Sequence, residues 1–180
     1  MKVIFLDIDG VLNTSETFTK RKQIFEQTGI WNLEIDEFRV EYLKQIVDET
    51  NAKIVLSSTW KKYFENIKGK VVPSCEKGIM FQNILKKYNI ELYDILKKGY
   101  LLTREELIDI WLNENPNVES FIVFDDETTH LKRFVGKELI KTSFLEDGVM
   151  LMDMDDCMGL CEGHIPKAIQ MLNSKVKILK

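Results

Sequence analysis

Cysteine is scarce in this sequence, and no apolar run approaches the length of a membrane span. Three cysteines, an odd number, do not make a disulfide framework and are typical of a reducing compartment. A transmembrane helix needs about 20 apolar residues, whereas the apolar runs here have only the length of strands. The N-terminal residues show neither the apolar core of a secretory signal nor the arginine-rich pattern of a transit peptide. We therefore expect a cytoplasmic protein that does not bind membranes.

Internal repeats and low-complexity linkers are also missing from the sequence. A chain of 180 residues suits one domain, which at this size buries roughly 70% of the surface of its unfolded chain. We expect a single domain over residues 1–180, with a small flap or insert at residues 14–35 and a basic insert at residues 60–100. Residues 14–33 lack a clean helical period, which is why a flap is expected there. No segment indicates an obligate protein partner.

The formal net charge of −4 hides an uneven distribution. Residues 60–104 carry ten basic and four acidic side chains, a net charge of +6, so the rest of the chain carries −10. Lysines in such numbers commonly form a solvated helical surface. Beside an active site they would instead attract a polyanion, such as a phosphorylated nucleic-acid end. The sequence leaves both interpretations open.

The N-terminal apolar run, residues 3–6, leads directly into two aspartates and a glycine. Such a run without polar alternation is typical of a strand that is covered on both faces in a parallel sheet. Asp7 and Asp9 then fall just beyond the carboxyl end of the strand, where parallel sheets bind their ligands. Side chains two positions apart in an extended segment point the same way, so these carboxylates repel each other unless a cation lies between them. The pair predicts a metal with oxygen ligands such as Mg²⁺, and an Asp-Gly turn without function is the alternative.

Two more apolar runs, at residues 53–56 and 121–124, also end in functional side chains. The groups that follow them are two hydroxyls and two carboxylates: Ser57, Ser58, Asp125 and Asp126. The carboxyl ends of parallel strands meet at one edge of a sheet, so we expect all of these groups to converge there. Ser57 is favoured over Ser58 because a step of one residue along a strand turns the side chain away.

Helices are predicted between these strands. Asp36 is a typical N-cap for a helix with apolar residues at helical spacing as far as Val47. Thr103 and Glu106 have the pattern of a capping box, which places Arg104 at the first helical position, where free backbone N–H groups attract anions. Further segments predict a helix around residues 80–88, strands at 91–96 and 139–142, and a last helix around 165–172. The alternation predicts a Rossmann-like α/β fold, a parallel sheet with helices on both faces, and the segments between the motifs are too short for a large cap domain.

With these motifs in this order, the sequence resembles the haloacid dehalogenase (HAD) superfamily of phosphohydrolases. The four motifs of the superfamily correspond to Asp7-Ile8-Asp9-Gly10-Val11, Ser57, Arg104 and Asp125-Asp126. Within the superfamily, the chain is similar to the small HAD domains related to the Swiss Army Knife RNA repair proteins. That similarity covers nearly the whole chain and rests on residues 54–60, 104–112, 124–126 and 159–160.

The resemblance implies a role for each motif. Asp7 would attack phosphorus and form an aspartyl-phosphate, and Asp9 would protonate the leaving oxygen and later activate water. Ser57 and Arg104 would hold the oxygens of the transferring phosphoryl group. Arg104 stands where the superfamily usually has lysine, and the reserve candidates for phosphate binding are Ser58 and Lys98.

The implied cofactor is Mg²⁺. Its ligands would be the carboxylates of Asp7 and Asp125 and the backbone carbonyl of Asp9. Asp126 would be either a further ligand or a group that orients one.

The other noticeable residues are interpreted as structural. Cys157, Cys161 and His164 have a spacing that suits zinc, but they offer only three of the four ligands of a closed site. His130 is interpreted as a supporting or surface residue, because the implied mechanism already has its acid and its base. The tryptophans near the motifs are interpreted as core or cap-face aromatics: Trp60 and Trp111.

The leading hypothesis is a Mg²⁺-dependent phosphomonoesterase that acts on a phosphorylated small molecule or a nucleic-acid end. The alternative hypothesis, from a different class of function, is a non-catalytic module that binds a phospho-ligand or nucleic acid. A phosphotransferase would share every residue. The presence of Asp9 beside Asp7 favours an enzyme, since a sensor needs no acid at that position.

Overall fold

The computed structural model describes residues 1–30, 35–97, 101–144 and 158–174. Within these ranges the chain forms seven strands, five α-helices and two 3₁₀ turns. The strands are β1 (Lys2–Leu6), β2 (Lys53–Leu56), β3 (Phe64–Ile67), β4 (Lys70–Pro73), β5 (Leu92–Ile95), β6 (Ser120–Asp125) and β7 (Leu139–Lys141). The helices are α1 (Ser15–Thr28), α2 (Glu37–Thr50), α3 (Glu76–Lys87), α4 (Arg104–Glu114) and α5 (His164–Asn173). The 3₁₀ turns are Thr59–Tyr63 and Lys132–Phe134.

Five of the strands form one parallel sheet in the order β5-β2-β1-β6-β7. β1 is central, and its register places Phe5 between Val55 of β2 and Val123 of β6. The strand order reverses next to β1, which is the position where parallel sheets open a crevice for ligands. The polar groups that follow β1, β2 and β6 therefore meet at one edge of the sheet. This architecture confirms the predicted Rossmann-like fold.

Side chains of β1 alternate between two cores, one on each face of the sheet. On one face Ile4 and Leu6 belong to a core that includes residues of α2, α3 and α5. On the other face Val3 and Phe5 pack with residues of α4, and the ring of Phe5 meets that of Trp111 edge to face at a centroid distance of 5.4 Å. Burial on both faces explains why this strand is an uninterrupted apolar run.

The predicted helix starts are confirmed. α2 begins directly after Asp36, and α4 begins directly after Thr103. The Thr103 hydroxyl accepts from Glu106 N at 3.3 Å, and the Glu106 carboxylate accepts from Thr103 N at 2.7 Å, which is the capping box expected from the sequence. This start places Arg104 in the first turn of α4. The strands expected at residues 91–96 and 139–142 correspond to β5 and β7.

The helix α1 is not predicted by the sequence. Thr17 is the only buried residue of this helix, so the apolar period that marks most helices is missing. A few isolated contacts attach it instead: Thr17 Oγ1 donates to Asp36 Oδ2 at 2.6 Å, Ser15 N donates to Phe144 O at 2.9 Å, and the ring of Phe18 meets that of Phe144 at a centroid distance of 5.6 Å. A helix held in this way leaves little trace in a pattern of hydrophobicity.

The described part of the segment expected as a basic insert contains a hairpin that the sequence does not predict, together with α3 and β5. β3 and β4 form an antiparallel hairpin outside the main sheet. β5, in contrast, pairs with β2 as an edge strand of that sheet. In the described ranges the segments between the motifs form no large cap domain, as predicted. None of the helices described is long and apolar enough to cross a membrane.

Candidate active site

Asp7 follows β1 at the carboxyl edge of the sheet and is 5% exposed. Its N–H donates to Phe124 O of β6 at 3.0 Å, which continues the strand pairing as far as this residue. Its carboxylate accepts from Ile8 N at 2.8 Å on Oδ1 and from Arg104 Nη1 at 2.8 Å on Oδ2. These two bonds hold the carboxylate in one orientation, and each oxygen keeps a second lone pair for a reaction or a ligand.

The turn after Asp7 depends on Gly10. This residue has φ +76°, a left-handed conformation that favours glycine. A Cβ at this position would lie 2.4 Å from Cγ of Asp126. Thr142 Oγ1 also donates to the carbonyl of Gly10 at 2.6 Å. The glycine of the first motif thus gives the second aspartate of the fourth motif the room that it occupies.

Arg104 bridges the first and fourth motifs. Its Nη1 donates to Oδ2 of Asp7 and also to Oδ2 of Asp125. Burial by itself opposes the charged guanidinium, but the charges of Asp7 and Asp125 outweigh it and raise the pKa of Arg104. A permanent positive charge therefore lies between two buried carboxylates.

Asp7, Asp125 and Asp126 form a group of carboxylates, with one oxygen from each within 4.8 Å of the others. Burial, followed by the charge of Asp7, raises the pKa of Asp125 despite its contact with Arg104. The same two causes raise the pKa of Asp126 to about 6. Burial and the neighbouring charge thus disfavour the ionised forms of these two residues, and carboxylate oxygens are the ligands that Mg²⁺ prefers. The three residues therefore fit a hard divalent cation.

The carboxylate of Asp9 has different partners. Trp60 Nε1 donates to both of its oxygens, at 3.0 Å to Oδ2 and 3.2 Å to Oδ1. Asn13 Nδ2 donates to Oδ1 at 2.9 Å, and Asn13 Oδ1 accepts from Gly10 N at 3.1 Å. The four acids predicted from the sequence thus divide into a group of three and a single carboxylate held by neutral donors.

Ser57 and Ser58 also differ in their surroundings. Ser57 is 2% exposed, and its Oγ has no hydrogen-bond partner among the described residues. Its N–H donates to Leu6 O at 2.9 Å, which places it beside the end of β1. The Oγ of Ser58 instead accepts from Trp60 N at 3.3 Å and caps the 3₁₀ turn that follows. Ser57 is the serine with a hydroxyl available to a ligand.

A cavity of about 690 Å³ opens beside Ser57 and Arg104. Its lining includes Lys61, Lys62 and the apolar Leu101. Burial, and then repulsion by the charge of Arg104, lowers the pKa of Lys61. Lys61 and Arg104 line the same cavity, so both charges can act on an anion bound there.

Comparison with known families shows which family the chain is related to. The model of a family described as the HAD domain in Swiss Army Knife RNA repair proteins matches residues 3–148. The chain belongs to this family. The match spans all four motifs of the HAD domain and indicates a function of the phosphohydrolase type. Comparisons with curated proteins and with solved structures gave no significant match.

The structure describes some of the remaining candidates from the sequence and not others. Lys98 and Cys157 fall outside the described residues. Cys161 and His164 are neighbours, with Sγ 3.6 Å from Nδ1. His130 is exposed, lines the cavity and has Nε2 3.7 Å from the carboxylate of Glu127.

The sequence predicts no role in the HAD site for three residues, including Trp60, which it interprets as a core or cap-face aromatic. They are Asn13, Trp60 and Lys61, which the structure brings to Asp9 or to the cavity. A signal for Trp60 does exist, because a buried indole N–H needs an acceptor and this residue follows the second motif closely. Lys61 is one of ten basic residues in its segment, and nothing in the sequence separates it from the others.

Proposed function

We propose that the protein is a Mg²⁺-dependent phosphomonoesterase that forms an aspartyl-phosphate on Asp7. The observation that carries the proposal is the division of the acids. Asp7 lies in the group with Asp125, against Arg104, whereas Asp9 is held by Trp60. Two carboxylates in different environments suit a nucleophile and a separate acid–base group.

The first step transfers the phosphoryl group to the protein. An oxygen of Asp7 forms a bond to phosphorus while the bond from phosphorus to the leaving oxygen breaks. Asp9 gives its proton to that oxygen, so the product leaves as an alcohol. Ser57 Oγ donates to an oxygen of the transferring group, and the charge of Arg104 stabilises the charge that develops there.

The second step releases phosphate. Water attacks phosphorus, Asp9 takes a proton from the water, and the bond between phosphorus and the Asp7 oxygen breaks. Inorganic phosphate leaves, and both aspartates return to their starting forms. A phosphotransferase would use the same first step with another acceptor in place of water.

The metal would be held by the carboxylates of Asp7, Asp125 and Asp126 together with the backbone carbonyl of Asp9. When bound there, Mg²⁺ supplies positive charge that offsets the charge of the phosphoryl oxygens.

The test is phosphate release from a panel of nucleotides, sugar phosphates and phosphorylated oligonucleotides, with Mg²⁺ or with chelator. We expect turnover that requires Mg²⁺ and is abolished in Asp7→Asn, with the thermal midpoint of unfolding retained. A substrate with chiral phosphorus should show retention of configuration, since two in-line displacements each invert it. Inversion would show direct attack by water and overturn the covalent route. Mg²⁺ binding without any turnover would favour the non-catalytic binding module.

We further propose that the substrate is the phosphorylated end of a nucleotide or oligonucleotide. In support, Lys61 and Lys62 line the cavity, and the described segments between the motifs form no large cap domain that would exclude a long substrate. The family description names RNA repair proteins, which agrees with this class of substrate. Other lysines of the basic segment are engaged elsewhere, for example Lys87 with Glu37 and Lys97 with Glu114. We therefore assign the attraction of a polyanionic substrate to the lysines that line the cavity and not to the whole basic segment.

Salt dependence of KM tests this substrate class. For a single strand, each phosphate engaged by a cation adds about 0.7 to the negative slope of log affinity against log salt. Lys61→Met should raise KM for the oligonucleotide and reduce this slope by about 0.7. The matched control is Lys86→Met, which removes an exposed charge of α3 away from the cavity lining and should change neither quantity. Equal kcat/KM for oligonucleotide and sugar phosphate, with the same salt response, would assign the substrate to small metabolites.

A further inference from the structure

We infer that Trp60 is a positioning residue whose indole N–H orients the Asp9 carboxylate for its proton transfers. The inference rests on the proposed function, because it assigns Trp60 a role through the acid–base group of that reaction. Trp60 Nε1 lies 3.0 Å from Oδ2 and 3.2 Å from Oδ1, so one N–H faces both oxygens of the carboxylate.

The indole ring is itself held firmly. Trp60 is 4% exposed, and its ring meets Phe81 edge to face at a centroid distance of 5.5 Å and Tyr63 at 5.9 Å. Lys77 Nζ lies 4.9 Å from the centroid of the same ring. Contacts around the ring leave the direction of the N–H bond little freedom. An indole has a single hydrogen-bond donor, and here that donor is aimed at Asp9.

The bonds to Asp9 treat its two oxygens differently. Oδ1 accepts from both Trp60 and Asn13, whereas Oδ2 accepts from Trp60 alone among the described residues. The terminal torsion of an aspartate is broad, so without fixed donors the carboxylate plane would turn. With them, Oδ2 is the oxygen that has room to carry the proton for the leaving group.

Trp60 also ties this orientation to the second motif. Its backbone N–H is capped by Ser58, and Ser57 supplies the unpartnered hydroxyl at the cavity. The segment after β2 thus carries both the hydroxyl of Ser57, which can donate a hydrogen bond to the phosphoryl group, and Trp60, which orients Asp9. A shift of this segment would move both groups together.

The experiment compares Trp60→Phe with Trp111→Phe. Trp111 is a matched control, because it is also 4% exposed and its Nε1 donates to Asp94 Oδ2 at 2.7 Å, outside the site. Phenylalanine keeps an aromatic ring and removes only the N–H and the volume of the second ring. The readout is the burst of alcohol released in the first turnover, measured over esters whose leaving groups differ in acidity.

Trp60→Phe should slow release of poor leaving groups by about 10-fold or more, the effect of one hydrogen bond to a charged group, and should affect good leaving groups much less. In an Asp9→Asn background the same change should slow alcohol release by a further factor of no more than about 2, because its effect depends on the Asp9 carboxylate. Trp111→Phe should show no dependence on the leaving group.

Separate results overturn the inference and the proposed function. Absence of turnover in the unmutated protein contradicts the proposed function. An active protein in which Trp60→Phe slows all esters equally, or in which its effect persists undiminished in the Asp9→Asn background, overturns the inference alone. The indole N–H resonance gives a check that needs no activity, since Asp9→Ala should shift the Trp60 signal and leave that of Trp111 in place. An unmoved Trp60 signal would show that the contact with Asp9 is not made.

Discussion

Arg104 donates from Nη1 to Oδ2 of Asp7 at 2.8 Å, and the same nitrogen donates to the carboxylate of Asp125. The first residue of α4 thus joins the residue that follows β1 to the last residue of β6. Asp7 is 5% exposed and Asp125 is fully buried, so neither carboxylate has ready access to water as an alternative partner. The guanidinium is consequently part of the stability of the fold as well as of the site.

Replacing Arg104 should therefore affect stability and activity together. Arg104→Gln leaves two buried carboxylates without their cation, which should cost about 3–5 kcal/mol in the free energy of unfolding and at least about 10²-fold in kcat. Arg104→Lys keeps the positive charge but concentrates it on one nitrogen, so its losses of stability and of kcat should be smaller than those of Arg104→Gln. Urea unfolding and steady-state kinetics measure both effects. Arg133→Gln is the control, since Arg133 is half exposed and bonds to Asp109 at the surface, and it should cost less than about 1 kcal/mol. Equal effects of the two glutamine variants would contradict the bridging role.

The two adjacent serines should respond in opposite ways to alanine. Ser57→Ala removes a buried hydroxyl without a described partner, so stability should hold or rise slightly, while kcat/KM should fall by about 10-fold or more. Ser58→Ala removes the acceptor of the Trp60 backbone N–H and should lower the free energy of unfolding by about 1 kcal/mol. Thermal unfolding and kinetics on both variants check the pair. A loss of stability in Ser57→Ala would show that its hydroxyl has an internal partner.

Gly10→Ala should disturb the metal group through contact with Asp126. The added methyl would lie 2.4 Å from Cγ of Asp126, and the positive φ adds strain of about 1–2 kcal/mol. Gly136→Ala is the control for backbone strain alone, because Gly136 has φ +71° but no atom lies within 4 Å of the added methyl. Both variants should lose stability, but only Gly10→Ala should require more Mg²⁺ for half-maximal activity. The measurement is a Mg²⁺ titration of turnover, and an unchanged requirement would place the metal away from Asp126.

The stability of the metal-free protein should fall as pH rises. The pKa of Asp126 is raised from 3.8 to about 6, by burial first and then by the charge of Asp7, so the folded state favours its protonated form. That contribution is complete below about pH 4 and is lost as pH passes through about 6. Asp125 acts in the same direction.

Chemical denaturation in chelator between about pH 4 and pH 8 measures this loss. Added Mg²⁺ should reduce it, because a cation between the carboxylates stabilises their ionised forms. Asp126→Asn should flatten the profile, since the titrating group is gone. The same pH dependence in Asp126→Asn and in the unmutated protein would show that other groups cause it.

The sequence by itself determined the five strands of the parallel sheet, four of the five helices and the order of the motifs, but not the hairpin of β3 and β4. β1 and β6 are apolar throughout because both of their faces are buried, and such a run is visible without knowing its neighbours. The capping box of Thr103 and Glu106 is equally local, because three residues of separation suffice to form it. Asp7, Asp9, Asp125 and Asp126 could be named from the sequence because each lies at the end of an apolar strand or within three residues of it.

Only the tertiary structure decided which groups meet. Helix α1 escaped prediction because a few isolated contacts with Asp36 and Phe144 hold it, and such contacts have no period along the chain. The partnership of Trp60 with Asp9, 51 positions apart, follows from the pairing of β2 with β1 and not from any local pattern. Lys61 reaches the cavity for the same reason, whereas other lysines of its segment turn elsewhere. Propensity and periodicity act over a few residues, but the surroundings of an ionisable group depend on burial and charge from distant segments, which exist only once the chain has folded.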